Sequence, residues 1–172
     1  MIDLRENSLC RLGFIYQAEI VGPDGKVLVS GPPVRNIIPQ QGIDHIAGLI
    51  KGTTAPISAW YIGVGEADYV PTSATKAADL PTLVAESVAY SETTRPLWDN
   101  EYDGVGTLSN AGLRAEYTFT ADKRLRTGFI VSDATRGSAS GVLLSIVRFD
   151  SPYDVPAGST FRLGASIALL SV

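Results

Sequence analysis

The segment GLRAEYTFTADKRLRTGFIVS, residues 112–132, constrains the fold more than any other part of the chain. Its first half alternates apolar and polar side chains, as a strand with one buried and one solvent-exposed face does. The apolar set comprises Ala115, Tyr117 and Phe119, and the polar set comprises Arg114, Glu116 and Thr118. We therefore expect a strand over residues 113–120 and a second one over the β-rich run 125–131.

A short polar turn at residues 121–124 separates these two strands and predicts that they form a hairpin. In that register Thr118 lies opposite Arg126. Glu116 then lies diagonally across from Arg126 on the exposed face, close enough for a surface ion pair. The apolar residues of both strands, from Ala115 to Phe129, would face one core together.

Other β-branched and aromatic runs between turn letters predict further strands. FIYQAEIV and VLVS flank the turn GPDGK and indicate a hairpin, which Pro32 and Pro33 end because proline has no N–H to donate. More strands are expected over residues 57–64, 142–149 and 160–170. This succession predicts a mainly β fold, an antiparallel β-sandwich or jelly-roll-like architecture.

One short amphipathic helix is predicted over about residues 39–51, PQQGIDHIAGLIK. Pro39 suits its first turn and Gly52 its end. Apolar residues recur at spacings of three and four, which predicts that one stripe faces the core. The stripe comprises Ile43, Ile46, Ala47 and Ile50.

A chain of 172 residues can bury a core of its own, and no linker divides it. We therefore expect a single β-rich domain over residues 1–172, with residues 1–13 as an N-terminal arm. The segment 66–81, rich in Ala, Thr, Ser and Pro, is interpreted as a long surface excursion with at most one helical turn near residues 75–79.

Charge and hydropathy argue against two classes of partner. Fourteen basic and eighteen acidic residues give a net charge of −4 without a basic run, so we expect no nucleic-acid partner. Charged residues interrupt the first eleven positions, and no segment has the roughly 18 apolar residues that a membrane helix needs. We expect a protein that is soluble as synthesised and has no membrane partner.

The sequence contains few candidate catalytic residues. His45 is the one histidine, and its place in the predicted helix, beside Asp44, favours a packed or surface residue over a catalytic one. The loop GSASG has Ala139 where a nucleophile elbow has serine. Four carboxylates, Glu116, Asp122, Asp150 and Asp154, have no spacing that forces a glycosidase pair. We expect no enzyme and no cofactor.

A metal site is considered at WDNEYDG, where Asp99, Glu101 and Asp103 alternate before Gly104. The match to a calcium loop fails at Glu101 and at Asn110, the twelfth position. An acidic surface loop with a turn at Asp103 is the favoured interpretation, and a calcium or intersubunit cation site is the alternative.

Contacts with a partner are predicted at exposed aromatic and charged residues, since Trp and Tyr fill interface pockets or stack on sugars. The candidates are Tyr69, Trp98, Tyr102, Arg114, Glu116 and Arg126.

Several motifs occur in a characteristic order: NIIPQQG, WYIG, YSETTRPLW, RAEYTFTAD and the GVL strand. Together they resemble a family of small virion structural proteins of tailed bacteriophages, over roughly residues 14–172. The resemblance implies a capsid decoration or cement protein on the virion surface that binds the major capsid protein. A homo-oligomer, dimer or trimer, would let one unit clamp several capsid subunits. The alternative is a tail or fibre component that binds a host receptor or glycan.

Overall fold

The structure, a computed structural model, describes residues 12–169. Within this range two antiparallel β-sheets face each other, and one α-helix, α1 (Gln40–Lys51), packs against them. The predicted mainly β architecture, an antiparallel sandwich with one short helix, is confirmed. The more specific jelly-roll arrangement is not confirmed.

In the described part of the chain the first sheet has seven strands and is built around β1 (Phe14–Val21) and β10 (Thr160–Ala168). These two strands pair from Phe14 opposite Ile167 to Val21 opposite Thr160. The remaining strands are β2 (Val27–Ser30) and β3 (Val34–Arg35) beside β1, β6 (Thr107–Ser109) and β7 (Ala115–Thr118) beside β10, and β5 (Glu101–Tyr102) beside β6.

The second sheet has three strands in the order β4 (Tyr61–Gly65), β8 (Lys123–Val131) and β9 (Leu143–Val155). The main core lies between the two sheets. Tyr16 and Phe161 enter it from the first sheet, and Ile62 and Val147 enter it from the second. All four are buried, as the alternation within their strands requires.

A second core lies on the other face of the second sheet. Ala77, Leu80 and Val84 pack there against Phe129 and Ile146. The segment 66–81 is therefore more than a surface excursion, because it contributes to this layer. A 3₁₀ turn at Ala77–Asp79 falls within the short helical turn that the sequence predicts.

The predicted hairpin between residues 113–120 and 125–131 is wrong. β7 pairs with β10, where Glu116 lies opposite Arg162, whereas β8 pairs with β4 and β9 in the other sheet. Tyr117 and Leu125 still face one core, but they reach it from opposite sheets. Phe129 faces the second core. Alternation fixes which side of a strand is buried, but it does not fix which strand lies next to it.

The predicted buried stripe of the helix is wrong for three of its four residues, and only Ile46 packs against the core. Ile43, Ala47 and Ile50 are exposed, and the buried residues of α1 are Gly42, His45 and Gly48. The predicted N-terminal arm, residues 1–13, lies outside the described residues except for its last two. No helix within residues 12–169 is long and apolar enough to cross a membrane.

Candidate interaction surfaces

The side of α1 that faces away from the sheets is apolar. We call Ile43, Ala47 and Ile50 the outer stripe; Ile43 is 46% exposed and Ile50 is 83% exposed. Their spacing of four and three residues places them on one face of the helix. No other part of the described chain covers this face, so the helix presents an apolar surface to solvent.

Two glycines explain why α1 packs with its other side inward. A Cβ atom on Gly42 would lie 2.6 Å from the Leu144 carbonyl oxygen, and one on Gly48 would lie 2.1 Å from the Thr54 Oγ1. The backbone of the helix therefore approaches β9 and the following loop more closely than any larger residue allows. Two large apolar side chains of the predicted stripe, Ile43 and Ile50, are left on the outside.

Side-chain hydrogen bonds hold the helix in this orientation. The Gln41 Oε1 accepts hydrogen bonds from the backbone N–H of Ala77 at 3.0 Å and of Leu143 at 2.9 Å. Just before the helix, the Asn36 Nδ2 donates to the Ser145 Oγ at 2.6 Å. The outer stripe is thus fixed relative to the second sheet.

A second apolar surface lies on the edge strand β2. We call Val27, Leu28 and Val29 the hairpin edge; their exposed fractions are 55%, 54% and 43%. β1 connects this surface to the helix region, because Val21 pairs with Val27 while Phe14 lies beneath α1, about 23 Å away along the strand. Edge strands are usually protected by charges or proline, and this one is apolar.

The solvent-exposed face of the first sheet carries four charged residues that pair with one another. Glu19 accepts from Arg114 at 3.1 Å and from Arg162 at 3.3 Å, and the Arg162 Nε lies 2.7 Å from a Glu116 carboxylate oxygen. The predicted contact residues Arg114 and Glu116 therefore belong to one charged network. Since their charges are already paired, the network contributes less to recognition than free charges would.

Arg126 lies on the second sheet, apart from that network. Its Nη1 is 3.7 Å from Asp68, and the Arg148 Nη2 is 2.5 Å from the same carboxylate. The predicted ion pair of Glu116 with Arg126 does not form. Each residue pairs with a different partner because β7 and β8 belong to different sheets.

The three predicted aromatic contacts have three different environments. Tyr102 is 58% exposed on β5, whereas Tyr69 is partly buried and its hydroxyl is 2.9 Å from the Thr75 Oγ1. Trp98 is buried, and its Nε1 donates to the Ala165 carbonyl oxygen at 3.0 Å. The interpretation of Trp98 as a surface contact is therefore wrong, because its indole belongs to the core.

The acidic loop considered as a metal site forms a turn. The Asp103 Oδ1 accepts hydrogen bonds from the backbone N–H groups of Val105, Gly106 and Thr107 at 2.8 to 2.9 Å. These bonds lower the pKa of the Asp103 carboxyl to about 2. Within the described residues no three His, Cys, Asp or Glu side chains, Asp99 and Glu101 included, are placed to hold one metal ion.

A cavity of about 350 Å³ lies between α1 and the two sheets. Phe14 and Ile167 line it from the first sheet, and Leu144 lines it from β9. His45 lines it from the helix and is 7% exposed, as a packed helix residue. Its imidazole lies edge-on to Trp60, with ring centroids 5.5 Å apart. We call this space the helix cavity.

One buried cluster is absent from the sequence predictions. Arg95 and Glu86 form an ion pair whose side chains are 0% and 1% exposed. The Arg95 guanidinium also donates to the carbonyl oxygens of Asp133 and Ser138, in the loop between β8 and β9. An arginine followed by proline in an aromatic segment, YSETTRPLW, is the one sequence signal that could have indicated it.

Comparison of the chain with protein-family models, with curated proteins and with solved structures found no match.

Proposed function

We propose that this protein is a non-enzymatic structural component of a tailed-bacteriophage virion. Its most specific form is a capsid decoration or cement protein on the capsid surface, where it binds the major capsid protein. The observation that carries the proposal is the outer stripe of α1, an apolar helix face that the described chain leaves uncovered. The family resemblance supplies the identity of the partner.

The positions of the two apolar surfaces support a bridging role. The outer stripe and the hairpin edge lie toward opposite ends of β1, a central strand of the seven-stranded sheet. A molecule with two separated apolar surfaces can contact two neighbouring subunits at once. Many such contacts over a lattice give strong binding through avidity even when each interface is small.

The residues that carry the resemblance have packing roles in the fold. Trp98 and Arg95 from YSETTRPLW are buried, and Gly63 from WYIG lies under the ring of Phe129. Such residues specify a scaffold and supply no reactive group, as a structural protein requires.

The mechanism under this proposal is linkage between binding and shell stability. A protein that binds only the assembled shell stabilises that shell by mass action, in proportion to how tightly and how often it binds. Self-association as a dimer or trimer would place several outer stripes on one unit and allow it to clamp several capsid subunits.

The test uses particles of the phage that encodes the chain, made without the protein and then mixed with purified variants. We expect wild-type protein to bind in hundreds of copies and to raise the temperature at which heads release DNA. Ile50→Ser should bind at least tenfold more weakly, since it removes the most exposed apolar side chain of the stripe. Val105→Ser is the matched control, because Val105 is 80% exposed and lies outside the stripe.

Two results would contradict the proposal. One is density for the chain confined to the tail in cryo-electron microscopy of the particle. The other is equal binding of wild-type and Ile50→Ser protein to bare heads, which would remove the helix from the interface.

The alternative is a tail or fibre component that binds a host receptor or glycan, and the exposed ring of Tyr102 is the observation that favours it. Under this alternative we expect only a few copies of the protein per particle. We also expect Tyr102→Ala to reduce adsorption of the phage to host cells while the particles stay intact.

A further inference from the structure

We propose that the helix cavity binds a small, uncharged, apolar molecule that carries one hydrogen-bonding group, and that His45 makes the polar contact. This site lies beneath α1, on the side of the helix away from the outer stripe. The inference goes beyond the proposed function, which involves the outside of the helix.

The size and walls of the cavity define the body of the ligand. A volume of about 350 Å³ lies within the range of small-molecule sites and equals the space of roughly a dozen waters, enough for a ligand of about ten non-hydrogen atoms. Phe14, Leu144 and Ile167 form apolar walls. An aliphatic or aromatic body fits such walls, because its transfer from water is favourable.

His45 defines the polar part of the ligand. Its Nε2 is buried and has no hydrogen-bond partner within residues 12–169. The nearest aromatic neighbour, Trp60, meets it edge-on and has no acceptor atom in its ring. Buried polar atoms are nearly always satisfied, so an unpartnered nitrogen in the wall of an apolar cavity indicates a missing group. A hydroxyl can donate or accept and thus satisfies either tautomer of the imidazole.

The residues that line the cavity also indicate that the ligand is uncharged. Among residues 12–169, no Asp, Glu, Lys or Arg lines it. A carboxylate or ammonium would be buried there without an opposite charge, which is strongly unfavourable. A neutral alcohol or phenol therefore fits better than a fatty acid or an amine.

The experiment uses the tryptophan emission of the full chain, because both tryptophans of the protein, Trp60 and Trp98, line this cavity. The probe is 1-octanol, and octanoate at neutral pH is its charged counterpart. We expect a saturable change in emission with 1-octanol and at least tenfold weaker binding of octanoate. His45→Phe should weaken 1-octanol binding by up to about tenfold, while His45→Gln keeps a hydrogen-bonding group and most of the affinity.

Two further variants make the test independent of how well the His45 variants fold. Leu49→Phe narrows the cavity from the helix side and should block 1-octanol, whereas Ile50→Ser, on the outer stripe, should leave the affinity unchanged. The proposal is overturned if 1-octanol gives no saturable change with the full chain. It is equally overturned if octanoate binds as tightly as 1-octanol, or if Leu49→Phe binds as the wild type does.

Discussion

Arg95 and Glu86 form a bidentate ion pair in the protein interior. The Arg95 Nη2 lies 2.6 Å from the Glu86 Oε2, and the Arg95 Nε lies 2.8 Å from the Glu86 Oε1. The same carboxylate accepts from the backbone N–H of Gly137 at 3.0 Å, and the guanidinium lies over the ring of Phe129. The pair therefore joins the segment before β5 to the loop between β8 and β9. The hydrogen bonds of the guanidinium to Glu86, Asp133 and Ser138 replace those that water would have made.

Removal of one member of this pair should strongly destabilise the fold. Arg95→Met leaves the Glu86 carboxylate buried without its cation, and we expect the free energy of unfolding to fall by about 3–5 kcal/mol. Chemical denaturation measures the change. The double variant Arg95→Met with Glu86→Leu should be less destabilised than Arg95→Met alone, because no unpaired charge remains.

An exposed pair provides the control. Arg124 lies 3.3 Å from Asp154, with side chains 56% and 70% exposed, so Arg124→Ala should cost less than about 1 kcal/mol. Equal effects of Arg95→Met and Arg124→Ala would show that burial of the Arg95 pair does not matter to stability.

Gly63 should not accept even a methyl group. It pairs with Phe129 across β4 and β8, and a Cβ atom at this position would lie 2.1 Å from the Phe129 Cζ. We expect Gly63→Ala to lower the free energy of unfolding by about 1–3 kcal/mol, since the ring must leave its place in the second core. Gly112→Ala is the matched control, because a Cβ atom there meets nothing within 4 Å.

Stability at low pH should depend on Asp103. Its folded pKa of about 2 is below the unfolded value near 3.9, so its carboxylate stabilises the fold above about pH 4. This stabilisation is lost as the pH falls from about 4 to 2. Asp103→Asn should reduce the change in the free energy of unfolding between pH 4 and pH 2, measured by denaturation at each pH. An unchanged pH dependence in this range would contradict the role of the Asp103 carboxylate.

Tyr117 and Tyr16 should respond in opposite ways to loss of the hydroxyl. The Tyr117 hydroxyl is buried with no partner in residues 12–169, whereas the Tyr16 hydroxyl lies 2.6 Å from the Ser145 Oγ. At neutral pH Tyr117→Phe should therefore stabilise the protein by about 1 kcal/mol, and Tyr16→Phe should destabilise it by a similar amount. The opposite order in thermal denaturation would contradict the structure.

The same two tyrosines predict a loss of stability in alkali. Burial raises the pKa of both phenols above the value near 10 that they have in the unfolded chain. The folded state then holds protons that the unfolded state releases, so stability is complete below about pH 10 and falls as the pH rises further. Tyr117→Phe should weaken this fall in denaturation experiments above pH 10.

Local patterns in the sequence predicted most of the strands, and they predicted the helix to within one residue. Alternation of polar and apolar residues depends only on the strand itself, and β1, β2 and β10 begin within a residue or two of their predicted positions. The neighbour of β7 could not be predicted in this way. Its exposed residue Glu116 suits Arg162 as well as Arg126, and only the tertiary fold decides between them.

The candidate surfaces were harder to predict because they depend on small residues. The spacing of Ile43, Ala47 and Ile50 indicates one face of a helix. It does not show whether the opposite face, which carries glycines, can approach the sheet more closely than this face can. Trp98 stands among acidic residues in the sequence, yet its indole reaches the carbonyl oxygen of Ala165 in the core. Predictions from local polarity were therefore wrong both for the buried face of the helix and for the position of Trp98.

The pairing of β1 with β10 has a consequence for biosynthesis. The central pair of the first sheet joins strands from the two ends of the described chain, so β1 can pair early with β2 and β3 but cannot pair with β10 until residues 160–168 have left the ribosome. Contacts of such long sequence separation are slow to form. The edge of β1 that β10 will occupy therefore stays unpaired during translation, and unpaired strand edges of this kind promote aggregation until the sheet is complete.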